Sequence, residues 1–379
     1  MKKSVGIFVA GLMVAALLGV GACPVQAQTK AAVSAEMDKP LPPGLDEKWI
    51  DRSADPCTNF FQYACGNFSK LNPIPPDMPS YGTGTIIYNH TQDVLHALLE
   101  KAAVDSASRT ENEQKIGDFY ASCMDTNAIH AAGLKTLQPE LERIAALKDK
   151  KELTALLARF QLLNVNAFFS YGEQQDFKDA RKQIAVVDQG GLGLPERDYY
   201  LRTGAAAEKT RQEYVQHVAR MLQLMGEPEA KAASDAGKIM ALETSLAKIS
   251  MDITSQRDPK NVYHPMDEAQ LKGLAPQIDW MEFFRVTDTP EFTMLNVANP
   301  EFFKGLNALL ESTDLDTIQT YLRWQLIHST PSYTLPEAMD EESFNFYGRD
   351  LSGQPQQRAR WKRCVQATDG ALGEALGEV

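Results

Sequence analysis

Two cysteines among aromatic residues near the start of the chain limit its fold more than any other sequence feature. Cys57 and Cys65 lie eight positions apart within residues 55–68. This spacing does not fit a Cys-x-x-Cys metal or redox motif. In an oxidising compartment it predicts disulfide bonding, either between the two cysteines or to partners elsewhere.

An export signal over residues 1–27 supports such a compartment. Two lysines precede an apolar run over residues 5–20 that is too short and too early to span a membrane. The small residues Val25 and Ala27 favour cleavage after Ala27. The segment 20–23 also resembles a lipoprotein box, in which Cys23 would be acylated and kept. We therefore expect an exported protein, periplasmic or extracellular, with a lipid anchor at Cys23 as the alternative.

Composition narrows the class of protein further. The formal net charge of −12 argues against nucleic acid as a partner, because phosphates require a basic surface. Residues 28–47 are rich in Ala, Lys and Pro and are predicted to be a flexible tether. A folded region should then occupy residues 48–379.

Helical periodicity dominates that region. In residues 111–125, Ile116, Phe119, Tyr120 and Cys123 share one helical face, so Cys123 should point into the core. Two β-favouring runs, 165–171 and 183–187, predict a hairpin. The fold class is therefore mainly α, a multi-helix lobe with a small β-hairpin. Further helices are predicted over residues 91–103, 134–147, 150–163, 214–225, 239–249, 266–274, 302–310 and 315–327.

No catalytic or metal-binding residues are predicted. No two of the six histidines stand four apart, so none forms a His-Glu-x-x-His zinc motif; they are His90, His96, His130, His217, His264 and His328. The glycines at 190, 191 and 193 predict a tight turn into a helix rather than a nucleotide loop. The basic residues Arg358, Arg360, Lys362 and Arg363 predict a solvated helix face, and the acidic residues 340–342 a solvated loop.

Five motifs in order point to a family. They are Asp55-Pro-Cys…Tyr-Ala-Cys-Gly66, Tyr120-Ala-Ser-Cys-Met-Asp125, residues 189–201, Arg323-Trp…His-Ser329, and Arg360-Trp-Lys-Arg-Cys-Val…Leu-Gly-Glu-Ala-Leu376. Together they resemble the N-terminal region of the M13 zinc metallopeptidases, the neprilysin and PepO type.

The resemblance implies a helical lobe that admits peptides or small unfolded polypeptides to a cavity facing a zinc domain. Zinc and the general base belong to a later His-Glu-x-x-His helix that is missing here, so the chain alone should be inactive and hold no cofactor. The resemblance also implies a disulfide between Cys123 and Cys364. The family partners of Cys57 and Cys65 lie in the missing part, so these two would be unpaired, joined to each other, or joined to another polypeptide.

The resemblance further points to a substrate-cavity segment, Ser80, Tyr81 and Gly82 with Tyr88. The arginine that some members carry before Tyr-Gly is replaced by Ser80, which makes a clamp for a peptide carboxylate doubtful and favours an endopeptidase-like preference. Two other functions stay open. One is a stand-alone exported peptide-binding protein, and the other is half of a split peptidase whose zinc domain is a separate polypeptide.

Overall fold

The computed structural model describes residue 44 and residues 46–104 and 106–379. The predicted signal segment, the lipidation candidate Cys23 and most of the predicted tether lie outside the described residues. At the end of that tether, Asp46 caps a short 3-10 helix, Glu47–Trp49. No helix within the described part of the chain is long and apolar enough to cross a membrane.

Helices make up 61% of the structure and strands 7%, which confirms the predicted class. The α-helices, numbered in chain order, are α1 Phe60–Cys65, α2 Phe68–Leu71, α3 Thr83–Ala102, α4 Glu111–Met124, α5 Thr126–Ala132, α6 Gln138–Ala146, α7 Leu153–Leu162, α8 Asp198–Leu201, α9 Ala205–Leu224, α10 Glu229–Ile249, α11 Pro259–Val262, α12 Glu268–Leu274, α13 Trp280–Val286, α14 Pro300–Ser312, α15 Leu315–Ser329, α16 Glu337–Ser343 and α17 Arg360–Gly377. A π-helix, Phe344–Asp350, continues α16.

The predicted hairpin belongs to a larger mixed sheet. Strands β1 (Phe169–Asp176) and β2 (Asp179–Gln189) pair antiparallel. The sequence missed two short strands, β3 (Pro265–Met266) and β4 (Leu295–Val297). The sheet order is β1-β2-β4-β3, and β4 runs parallel to β2.

Three hydrophobic clusters hold the elements together. The largest packs the sheet against α7, α13 and α14, with Trp280 and Phe303 fully buried. A second lies among α9, α10, α15 and the π-helix around Tyr214 and Trp324. The third joins α3, α4 and α17. Each long helix therefore buries its apolar face in one or more of these clusters.

Candidate functional site

The histidines do not come together as a metal site. The His217 Nδ1 atom lies 2.9 Å from Glu342 Oε1, and the His96 ring stacks on Trp361 at 4.1 Å between centroids. Among the residues that the structure describes, no three His, Cys, Asp or Glu side chains are placed to hold a metal ion. A zinc site therefore does not fit these residues.

The most unusual buried group is a carboxylate on α10. Glu243 has no exposed surface, although it lies on the same helical face as Ile239 and Leu246. Its Oε2 atom accepts hydrogen bonds from the hydroxyls of Tyr200 and Tyr214, both at 2.7 Å. Its Oε1 atom accepts from Trp324 Nε1 at 3.1 Å and Gln325 Nε2 at 3.2 Å. Four side-chain donors thus surround the carboxylate, which explains how a charged group is tolerated there.

Two of these side chains, Tyr200 and Gln325, also hold the segment 191–194 together with Tyr321, and we call the whole arrangement the Glu243 cluster. The Tyr200 hydroxyl accepts the backbone N–H groups of Gly193 at 3.1 Å and Leu194 at 2.8 Å. The carbonyl of Gly191 accepts from Tyr321 at 2.8 Å and from Gln325 at 3.2 Å. Tyr200 and Gln325, which both donate to Glu243, therefore make three of these four hydrogen bonds to the turn, and Tyr321 makes the fourth.

The electrostatics of Glu243 follow from its enclosure. Burial raises the pKa of its carboxyl group to about 7, against the lowering effect of the Tyr200 and Tyr214 hydrogen bonds. Burial and the nearby carboxylate also raise the pKa of Tyr200 and Tyr214 well above its usual value. The group can exchange a proton near neutral pH, but it is enclosed and cannot contact a substrate.

A surface pocket of about 370 Å³ lies against the turn. Its wall includes Gly190 and Gly191 of the turn, and its rim carries the exposed Ile253. Gly191 has a φ of +82°, and an added Cβ would collide with the Tyr321 hydroxyl, so only glycine fits this wall. The predicted tight turn at these glycines is present, and α8 begins three residues after Pro195.

The disulfide implied by the family joins α4 to α17. Cys123 and Cys364 are bonded across 241 residues, and both are buried. Arg360 strengthens the connection by donating its Nε–H to the Cys123 carbonyl at 2.9 Å.

The predicted solvated basic face on α17 is wrong. Lys362 pairs with Asp77 at 2.8 Å, and Arg363 pairs with Asp340 at 2.8 Å, with all four side chains at most a quarter exposed. Arg358 lies 5.4 Å from the centre of the Tyr88 ring. Lys362 and Arg363 therefore attach α17 to distant parts of the chain, and Arg358, just before this helix, contacts α3.

The predicted solvated loop at residues 340–342 is also wrong. These residues lie in α16, and Asp340 and Glu342 are buried. Glu342 contacts His217 at 2.9 Å and Arg220 at 2.8 Å. Both acidic side chains are buried because each has a basic partner from another helix, which a local sequence pattern does not reveal.

An exposed apolar surface surrounds Cys57 and Cys65. Cys57 and Cys65 are unpaired and exposed. No residue of α1 is buried, and Phe60 and Phe61 are 68% and 75% exposed. Leu71 and Ile74 are also more than half exposed. We call residues 57–74 the N-terminal apolar surface; an exposed aromatic helix of this kind is typical of an interaction site.

The segment of Ser80, Tyr81, Gly82 and Tyr88 lies beside this surface. Tyr81 faces the Phe68 ring at 6.5 Å, and Gly82 caps the start of α3. Ser80 is exposed, and Tyr88 is 36% exposed. The structure brings Arg358 to Tyr88 from the far end of the chain, so a cation is present near this segment although no arginine precedes Tyr81.

The family-like motifs meet in pairs. The motifs of residues 189–201 and 323–329 converge on the Glu243 cluster, and those of Cys123 and Cys364 meet at the disulfide. Sequence reasoning missed Glu243 itself. The signal in the sequence was a charged residue on the apolar face of a helix. A charged side chain is rarely buried at such a position unless other groups pair with it.

Comparisons with known proteins agree with one another. The profile of Peptidase family M13 matches residues 56–379. Endothelin-converting enzyme 1 of Rattus norvegicus is 32% identical over 345 residues, which cover 86% of this chain and 44% of that enzyme. The endothelin-converting enzyme homologue of Locusta migratoria is 29% identical, with 86% and 47% covered. The chain thus spans less than half the length of these relatives.

Solved structures give the same picture. The zinc metalloprotease Zmp1 of Mycobacterium tuberculosis, in complex with an inhibitor, superposes with a TM-score of 0.82 at 30% identity, over 89% of this chain and 52% of that one. PepO of Lactobacillus rhamnosis, at 15% identity, shares the fold with a TM-score of 0.71, over 84% and 50%.

Proposed function

This chain belongs to peptidase family M13, and from that premise we propose that it is the substrate-admitting, non-catalytic lobe of a secreted zinc metalloendopeptidase. The observation that carries the proposal is a family match over residues 56–379 in a sequence with no His-Glu-x-x-His. The described residues contain no cluster of His, Cys, Asp or Glu side chains that could hold a metal ion, so no step of peptide hydrolysis is assigned to them. Zinc would be held by residues outside these 379.

The partner of the lobe is a zinc-bearing domain that covers the N-terminal apolar surface. Two observations support this partner. Phe60 and Phe61 are left in water, which is costly for large apolar side chains. Cys57 and Cys65 are unpaired and exposed, so both thiols are available for disulfides to another domain.

The substrates are peptides or small unfolded polypeptides. The support is the family itself, whose relatives include endothelin-converting enzyme 1 and Zmp1. Within this chain, Ser80, Tyr81, Gly82 and Tyr88 are the residues proposed to face the substrate, with Arg358 as the neighbouring cation.

The first test is a peptidase assay. The purified chain, supplied with zinc, should not cleave a quenched fluorescent peptide, and chelator-sensitive cleavage would overturn the non-catalytic role. The coding sequence just past Val379 gives a second, independent result. An in-frame or frame-shifted His-Glu-x-x-His there supports the lobe, whereas saturable peptide binding without such a continuation favours a stand-alone binding protein.

Export is proposed from residues 1–27. The intact mass of protein recovered outside the cytoplasm should correspond to a chain that starts at Gln28. A diacylated chain starting at Cys23 would instead establish the lipid anchor, and a mass including Met1 would contradict export.

A further inference from the structure

We propose that Glu243 is a proton switch: when its carboxyl group binds a proton, the Gln325 carboxamide turns over and the segment 191–194 loses one of the hydrogen bonds that hold it. Glu243 lies in the interior of this chain, so the switch does not depend on the proposed peptidase function.

The cluster is arranged for the ionised carboxylate. Each of the four side chains that contact Glu243 donates a hydrogen bond, two to each oxygen, and the Gly193 backbone N–H also favours the ionised form. A protonated carboxyl group must itself donate, so one of these contacts has to change when a proton binds.

The contacts differ in how easily they change. The Tyr200 oxygen already accepts two backbone N–H groups, so its own proton must point to Glu243. By contrast, both donors at Oε1 have a second acceptor. Trp324 Nε1 lies 3.0 Å from the Tyr214 hydroxyl, and Gln325 Nε2 lies 3.2 Å from the Gly191 carbonyl. The proton is therefore taken up at Oε1.

The Oε1–H group then needs an acceptor, and Gln325 can provide one. A half turn of its carboxamide places the carbonyl oxygen where the nitrogen was, 3.2 Å from Oε1. The same half turn withdraws the Gln325 N–H from the Gly191 carbonyl. The Gly191 carbonyl then accepts a side-chain hydrogen bond from Tyr321 only, at 2.8 Å. Binding of one proton to Glu243 thus removes the hydrogen bond between Gln325 and the Gly191 carbonyl, one of those that hold the turn.

Within the described part of the chain, neither neighbouring histidine supplies a charge that would keep Glu243 ionised. Burial lowers the pKa of His217, and lowers that of His328 to about 4, so both rings are neutral at neutral pH. Arg220 is occupied by Glu342 on the far side of His217. The titratable groups that face the cluster are Tyr200 on α8, Tyr214 and His217 on α9, Tyr321 and His328 on α15, and Tyr347 on the π-helix, which also donates to the Gly193 carbonyl at 2.9 Å.

Hydrogen exchange of the full chain tests the switch. Peptides covering residues 190–197 should lose protection by about fivefold as pH falls from about 8.5 to about 5.5, after correction for the intrinsic exchange rate, because one neutral hydrogen bond is lost. The Glu243→Gln variant imitates the protonated group, so its protection should be low at every pH. A flat profile in the unmodified protein would overturn the proposal, as would a pH-dependent profile in Glu243→Gln.

Tyr321→Phe is the matched control. It removes the other donor to the Gly191 carbonyl without touching Glu243, so protection should fall at every pH while the pH dependence remains. Gln325→Leu removes the moving group and should abolish the pH dependence. If Glu243→Gln does not fold, the profiles of the unmodified protein and Gln325→Leu decide the matter; an unchanged pH dependence in Gln325→Leu would refute the role of Gln325.

Discussion

Removing the disulfide between Cys123 and Cys364 should lower the free energy of unfolding by more than the loss of packing from two small side chains would. The bond closes a ring over a sequence separation of 241 residues. In the chain-entropy model such a ring lowers the free energy of folding by about 5 kcal/mol at 25 °C, because the unfolded chain is restricted. We expect Cys123→Ala with Cys364→Ala to lose about 3–5 kcal/mol of unfolding free energy.

The assay is urea unfolding followed by circular dichroism, in a background where Cys57 and Cys65 are serine so that neither can form a disulfide. That background is also the control. Both residues are exposed and unbonded, so their replacement should change the unfolding free energy by less than about 0.5 kcal/mol. A loss below about 1 kcal/mol in the alanine variant would refute the ring-closure argument.

Three further predictions concern single positions. Gly193→Ala should cost about 3 kcal/mol in thermal unfolding because its Cβ would collide with a buried tyrosine hydroxyl, whereas Gly172→Ala, with nothing within 4 Å, should be near neutral. Asp340→Ala should cost about 3 kcal/mol in urea unfolding by leaving a basic partner unpaired, and Glu341→Ala, its exposed neighbour, less than about 0.5; equal losses would contradict the pairing. The folded pKa of Glu243, about 7, is raised above its unfolded value of 4.5, so its contribution is full below about pH 4.5 and is lost as pH rises through about 7. Unfolding free energy should therefore fall by about 3 kcal/mol across that range relative to Glu243→Gln, and parallel pH profiles would refute it.

The pH effect on unfolding and the pH effect on the turn have opposite signs because they describe different reactions. Unfolding transfers Glu243 to water, which favours its charge at high pH. Opening of the segment 191–194 leaves Glu243 enclosed, and a bound proton weakens only the anchoring of the turn.

Local signals in the sequence were sufficient where a helix carries its own caps. The prediction for helix α4 agrees to within one residue because it rests on a regular apolar face, and the structure adds a capping box of Thr110 and Glu113 that fixes its start. Helix α3 begins eight residues before its predicted start at residue 91. Its first turns are rich in Thr and Ile, which have weak helix propensity, so their conformation depends on packing rather than on local preference.

Features that depend on distant partners were not predictable. Strand β4 is three residues long and is defined only by pairing with β2 and β3. Arg363 and Asp340 are separated by 23 residues, and neither carries a pattern that announces the other. Glu243 was detectable only as a charge on an apolar face, and its four donors come from three separate segments.

The disulfide that joins α4 to the last helix also sets an order of events during synthesis. At about 5–20 residues per second, Cys364 emerges about 10–50 s after Cys123. During that interval an exported chain would present Cys57, Cys65 and Cys123 to an oxidising compartment before the correct partner of Cys123 exists. Under the export proposed above, the nascent chain would require either delayed oxidation or disulfide exchange, and its yield would depend on the disulfide isomerase capacity of the host.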